Sequence, residues 1–65
     1  VKVVRHNGNI VVMGLQAEKN YSIYDVSGKL LSTGFTGANG EATISLPVGH
    51  IIIIRQGSLA IKVMQ

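Results

Sequence analysis

The sequence predicts an all-β fold, an immunoglobulin-like antiparallel β-sandwich of about seven short strands. Its apolar residues are mostly Val, Ile and Leu and occur in short segments, which suits half-buried strands. Turn signals that contain glycine separate these segments, and no segment has the 3.6-residue period of a helix. Seven strands favour the sandwich. A five-stranded nucleic-acid-binding barrel is the alternative, and it fits the strand count less well.

The first four predicted strands are joined by turns and one loop. The seven predicted strands cover residues 1–5, 9–13, 21–25, 29–33, 41–46, 50–55 and 59–64. Asn7-Gly8 is the strongest hairpin signal, because a type I′ turn needs two residues that tolerate positive φ. Ile10 and Val12 face the same side of the second strand, and residues 14–19 form a loop. Ser27-Gly28 turns the third strand into the fourth.

The last three predicted strands differ in their hydrophobic pattern. A loop follows the fourth strand, and its Asn39-Gly40 pair predicts a hairpin turn into the fifth strand. Residues 41–46 then alternate between polar and apolar. Residues 50–55 are almost wholly apolar, as in a central strand that is covered on both faces. Gln56-Gly57 is a predicted tight turn, and residues 59–64 close the fold.

Alternation along these strands predicts the core. The residues expected to line it are Ile10, Val12, Tyr21, Ile23, Leu31, Ala42, Ile44, Leu46, Ile51, Ile53, Leu59, Ile61 and Val63. With 65 residues, the chain has room for one domain, residues 1–65. Because the first residue is Val1 rather than Met, we expect this domain to be a piece of a longer protein.

The residue types needed for catalysis or metal binding are few and dispersed. The chain has no cysteine, which excludes disulfides and thiolate sites, and His6 and His50 are too few for a closed zinc site. Without a helix, none of the five serines can occupy a strand-to-helix nucleophile elbow. We therefore expect no enzymatic activity, no catalytic residue, no metal, no cofactor and no small-molecule substrate.

Charge also argues against a nucleic-acid partner. The formal net charge is +3, from six Lys or Arg and three Asp or Glu, and the basic residues are scattered. A nucleic-acid surface would need clustered cations and stacking aromatic residues. Arg55 and Lys62 stand on either side of the last predicted turn, where they are interpreted as solvent-facing cations or as part of a docking surface.

Asp25 and Gly28 have predicted roles in the turn between the third and fourth strands. The Asp25 carboxylate can accept backbone N–H groups of the turn as an Asx-turn. Gly28 supplies a backbone angle that other residues rarely adopt. Both residues are therefore expected to be structural rather than catalytic.

Three phrases of the sequence resemble one family. They are Tyr24-Asp25-Val26-Ser27-Gly28-Lys29, then Leu46-Pro47-Val48-Gly49, then Gly57 followed by Lys62-Val63. In this order and spacing they resemble the C-terminal sorting domain of the type IX secretion system. The chain departs from the family at Ile51, where the family usually has Tyr.

This resemblance implies a module that directs a larger cargo protein across the outer membrane. Such a module would follow an N-terminal cargo domain, fold in the periplasm and be recognised by an outer-membrane secretion protein, so that the cargo is secreted or displayed on the cell surface. The implied sorting surface lies near the last hairpin. Its candidate residues are Pro47, Gly49, Arg55, Gly57 and Lys62. The alternative is a non-catalytic structural or adhesive immunoglobulin-like module of a bacterial cell-surface protein.

Overall fold

Seven strands make up the regular structure of the computed structural model, which describes residues 1–45 and 51–64. The strands are β1 (Lys2–His6), β2 (Asn9–Met13), β3 (Asn20–Asp25), β4 (Leu30–Phe35), β5 (Ala42–Ile44), β6 (Ile51–Gln56) and β7 (Leu59–Met64). The all-β prediction is confirmed, and β2 and β7 have the predicted bounds. Within the described ranges, no helix is long and apolar enough to cross a membrane.

The strands form two antiparallel sheets. One has the order β1-β2-β5, and the other has the order β4-β3-β6-β7. If the strands are lettered A to G, the orders A-B-E and C-F-G are those of immunoglobulin folds. Here the fourth strand pairs with the third rather than with the fifth, so it belongs to the second sheet. The predicted immunoglobulin-like sandwich is therefore the observed architecture.

Two tight hairpins fix the register of neighbouring strands. Asn7 and Gly8 both have positive φ, 50° and 80°, as a type I′ turn between β1 and β2 requires. Between β6 and β7 the two-residue loop is Gly57-Ser58, and only Gly57 has positive φ, 59°. That pattern is typical of a type II′ turn. The turn predicted at Gln56-Gly57 is thus one residue too early, because Gln56 is the last residue of β6.

Side chains from both sheets form the core. The buried apolar residues are Ile10, Val12, Leu15, Tyr21, Ile23, Ala42, Ile44, Ile52, Ile54 and Val63. Seven of the predicted core positions are therefore correct, and Ile61 is partly buried against the core. Leu46 lies outside the described residues. Leu15, in the loop after β2, is a core residue that strand alternation does not indicate.

The core prediction is wrong for β6. Ile52 and Ile54 face the core, with 0% and 1% of their surfaces exposed, whereas Ile51 and Ile53 are half-buried on the other face. The pairing of β6 with β3 decides which isoleucines face the core, because Ile54 lies opposite the buried Ile23. Four consecutive isoleucines have no alternation from which the inward positions could be identified.

Leu31 and Leu59 are also wrong as core residues. The β3–β4 register shifts between Ile23 and Tyr24, which pair with Ser32 and Leu30, so Leu31 is an extra residue in β4. Beyond such a bulge, inward and outward positions along the strand are exchanged relative to simple alternation. Leu31 is therefore not in the core and is 42% exposed. Leu59 is 36% exposed because it adjoins the β6–β7 turn.

The segment after β4 changes sheets. β4 extends beyond its predicted end to include Gly34 and Phe35. Gly34 lies opposite Tyr21, and a Cβ at this position would overlap the Tyr21 phenol ring. The Asn39-Gly40 segment leads to β5, which pairs with β2 and not with β4. The hairpin predicted at this turn is therefore wrong.

A buried polar cluster anchors the loop between β2 and β3. We call it the polar clasp, and it consists of Gln56, Thr36 and the main chain of Gln16 and Lys19. Gln56 Oε1 accepts from the Gln16 N–H at 2.6 Å, and its Nε2 donates to the Gln16 carbonyl at 3.0 Å. Thr36 Oγ1 accepts from the Lys19 N–H at 2.9 Å. The clasp provides hydrogen-bond partners for partly buried main-chain groups of this loop.

Candidate functional site

The outer face of the four-stranded sheet is the candidate functional surface. In an antiparallel sheet with one face on the core, the opposite face is normally polar. Here its central strand β6 presents Ile51 and Ile53 outwards, and both are half-buried. We name the apolar surface around them the outer patch, which consists of Tyr24, Leu30, Leu31, Ile51, Ile53 and Met64.

Strand pairing brings the members of the outer patch together. Ile53 lies between Tyr24 of β3 and Lys62 of β7, and Tyr24 also pairs with Leu30 of β4. These four residues therefore form one row across the whole sheet. Leu30 and Met64 are 51% and 61% exposed, so the row and its neighbours display substantial apolar surface.

A shallow groove crosses this face. It has a volume of about 400 Å³ and is lined by Tyr24, Gly28, Ile53, Arg55 and Ala60. Ala60 lies directly opposite Arg55, and its short side chain leaves the space between the larger neighbours open. The groove thus has an apolar floor with a guanidinium group at its side.

Two cations share the same face as the outer patch. Arg55 and Lys62 are exposed, and they occupy diagonal positions on paired strands because Arg55 pairs with Ala60 and Lys62 with Ile53. Diagonal neighbours are about 7–8 Å apart. The carboxylates of the chain belong to Glu18, Asp25 and Glu41, and none of them occupies an outward strand position of this face. The face is therefore apolar and locally positive.

Asp25 lies at the rim of this surface and holds the β3–β4 turn. Its Oδ1 accepts hydrogen bonds from the Ser27 N–H, the Ser27 hydroxyl and the Lys29 N–H at 2.9, 2.6 and 2.9 Å. These contacts, that from the Ser27 hydroxyl above all, lower the pKa of the Asp25 carboxyl below its ordinary value. Gly28 follows with a φ of 91°. The two residues form a closed turn beside the groove.

The other predicted sorting residues are not all on this face. Gly57 lies in the β6–β7 turn, where its positive φ favours glycine. Pro47 and Gly49 lie outside the described residues, as does His50. The structure thus brings together Arg55, Gly57 and Lys62 in one hairpin and adds Tyr24 and Ile53 beside them.

Comparisons with protein-family models, with curated proteins and with solved structures give no match to this chain. Within residues 1–45 and 51–64, no three His, Asp or Glu side chains are grouped so that they could hold a metal ion. His6 lies on β1 of the other sheet, and its Nε2 is 3.2 Å from Asn7 Nδ2.

Only the β6 part of the outer patch has a signal in the sequence. The signal is the segment Ile51 to Ile54, which is apolar on both faces of its strand. It favours a strand covered on both sides, but only the inner side is covered by the described residues. The position of Tyr24 beside Ile53 could not be inferred, because it depends on the non-local pairing of β3 with β6.

Proposed function

We propose that this chain is a sorting module that directs a larger cargo protein across the outer membrane to the cell surface. The module docks its outer patch on a protein of the secretion machinery and carries out no chemistry itself. The observation that carries the proposal is the row Tyr24, Ile53 and Lys62. Two phrases of the family resemblance, far apart in the sequence, meet in this row.

The physical character of the surface supports docking to a protein. Half-buried isoleucines on an outer sheet face and exposed Leu30 and Met64 provide apolar contact area, and contiguous apolar patches commonly mark interaction sites. Arg55 and Lys62 add charges that orient a partner and increase its rate of association. A partner with an apolar ridge flanked by carboxylates would complement this face.

A surface-delivery assay tests the proposal. Residues 1–65 are fused to the C-terminus of a periplasmic reporter in a host with type IX machinery, and reporter at the cell surface is measured. We expect delivery with the native segment and a loss of at least tenfold with Ile53→Lys or Lys62→Ala.

Two matched variants serve as controls. Val11 is half-buried on the outer face of the other sheet, where it lies in the central strand as Ile53 does, and Lys2 is exposed on that sheet. Val11→Lys and Lys2→Ala should leave delivery intact. A folded native segment whose reporter stays in the periplasm would refute the sorting role.

The second candidate is a structural or adhesive module of a bacterial cell-surface protein. It is favoured by the sandwich architecture, which many cell-surface domains share, together with the lack of a grouped metal-binding set in the described residues. This reading predicts that Ile53→Lys and Val11→Lys have equal effects in the delivery assay. A host without the secretion machinery should then display the parent protein equally well.

A further inference from the structure

The four edge strands of the sandwich are protected unequally. The edges are β1 and β5 in one sheet and β4 and β7 in the other. Exposed edges invite pairing with other chains, and proteins block them with charges, with short strands or with covering groups. β1 contains Lys2 and Arg5, and β5 has only three residues. β7 contains Lys62, and the Arg5 guanidinium donates to the carbonyl of Met64 at its end.

β4 lacks these protections along most of its length. Its sequence, Leu-Leu-Ser-Thr-Gly-Phe, has no charge and no proline. The bulge at Leu31 disturbs one end only, and no described strand pairs with its outer edge. Leu31 and Phe35 are 42% and 62% exposed, although Phe is a side chain that folded proteins usually bury.

We propose that β4 pairs antiparallel with β4 of a second copy of this chain. A twofold axis passes beside Thr33, and the two four-stranded sheets become one continuous sheet of eight strands. The proposal is argued from the edge of β4 and not from the sorting role. Its apolar pairs include Leu31 of the outer patch but neither Tyr24 nor Ile53.

The register follows from the exposed side chains. With the axis at Thr33, Leu31 of each copy lies opposite Phe35 of the other. Pairing within the chain places Thr33 opposite Ser22 and Phe35 opposite Asn20 on the outward side, so both apolar pairs form on one face. Aromatic and aliphatic residues opposite each other stabilise antiparallel strands. Each copy therefore covers the exposed apolar residues of the other.

Charge favours a second copy at the β4 edge and disfavours it at the β7 edge. The nearest cation along the chain is Lys29. Antiparallel pairing about Thr33 places the two copies of Lys29 about 27 Å apart along the strands, well beyond the screening length of about 8 Å. Self-pairing of β7 about its centre would instead place the two copies of Lys62 opposite or diagonal to each other, where like charges repel.

The oligomeric state, measured by sedimentation velocity, tests the proposal. The native chain should form a dimer of 6.9 kDa subunits. Thr33→Lys and Thr33→Glu should each be monomeric, because the substituted residues of the two copies would place like charges opposite each other at the twofold axis. An equimolar mixture of the two variants should recover the dimer. Thr43→Lys, the same change on an exposed residue of edge strand β5, should remain dimeric.

Two results would overturn it. One is a native chain that stays monomeric up to millimolar concentration, and the other is a dimer that persists in Thr33→Lys. Cross-linking gives a separate readout, because the chain has no cysteine of its own. Thr33→Cys should form a disulfide-linked dimer under mild oxidation at least tenfold faster than Thr43→Cys, and equal rates would contradict pairing at β4.

Discussion

Asp25 organises the β3–β4 turn through a single carboxylate oxygen. Three hydrogen bonds converge on Oδ1, two of them from main-chain N–H groups. Two further main-chain bonds close the turn, from the Asp25 N–H to the Lys29 carbonyl and from the Gly28 N–H to the Asp25 carbonyl. The turn is therefore held by one ionisable group, which makes its stability dependent on pH.

The lowered pKa of Asp25 fixes the direction of that dependence. The stabilisation is present above the pKa of the unfolded chain, about 3.9, and is lost as the pH falls through the lower pKa of the folded state. Urea midpoints of the native chain and Asp25→Ala should thus differ at pH 7 and converge in strong acid. Asp25→Asn keeps a side-chain oxygen and should lack this acid-dependent loss. A gap that stays constant into strong acid would contradict the assignment.

The buried side chain of Gln56 contributes to the stability of the fold through its hydrogen bonds to the main chain of Gln16. It is only 6% exposed, and replacing it by Met removes the partner of the Gln16 N–H. Leaving such a group unsatisfied costs about 1–3 kcal/mol. We expect Gln56→Met to lower the free energy of unfolding by about this amount in urea titrations. The same change at exposed Gln16, which contributes only main-chain atoms to the clasp, should stay within about 0.5 kcal/mol.

At the scale of elements, β6 is the strand on which both faces of the second sheet depend. Its inner residues complete the core, and its outer residues form the centre of the outer patch. Substitutions along this one strand should therefore distinguish residues that stabilise the core from residues of the outer patch.

Ile52→Ala and Ile53→Ala test this separation. Ile52 is fully buried, so its truncation should cost about 2–5 kcal/mol. Total stability for a chain of this length is about 3–10 kcal/mol, so the variant should lose a large share of it and unfold at a clearly lower urea concentration. Ile53→Ala should cost about 1 kcal/mol and keep the native far-UV spectrum. Equal losses at both positions would show that the outer face is also part of a packed core.

Local chemistry predicted several elements well. Asn7-Gly8 indicates a type I′ turn because few residues tolerate two positive φ values, and the two strands it joins are close to their predicted bounds. The phase of β6 and the bulge at Leu31 could not be predicted, since both depend on how β3 pairs with its two neighbours. Of the candidate site, Arg55 and Lys62 were identified from sequence, but the outer patch around them required the sheet order.

At the scale of the whole molecule, two pairings between distant segments complete the sandwich. β2 pairs with β5 and β3 pairs with β6, whereas the remaining contacts in each sheet are hairpins. Pairings between segments that are far apart in sequence form slowly, because loop closure precedes any gain from contact. Refolding from urea should therefore take milliseconds to seconds, and a microsecond phase that recovers the whole far-UV signal would contradict this topology.

Truncation should show that the fold depends on its last two strands. A chain that stops at residue 50 lacks β6 and β7 and leaves β3 with a single partner. It also lacks Ile52, Ile54 and Val63 of the core. We expect this variant to have the far-UV spectrum of an unfolded chain, while residues 1–64 retain the native one. A cooperative thermal transition in the shorter chain would contradict the prediction.

The insertion of β6 between β3 and β7 has a consequence for folding during synthesis. A nascent chain emerges from the ribosome N-terminus first, so β1 to β5 are available before the strand that completes their core. Before β6 emerges, β1, β2 and β5 can pair as one sheet and β3 and β4 as a hairpin, but the core between them lacks Ile52 and Ile54. Small sheets without a covered apolar face are marginal in water. The folded surface should therefore form only after the last hairpin has left the ribosome.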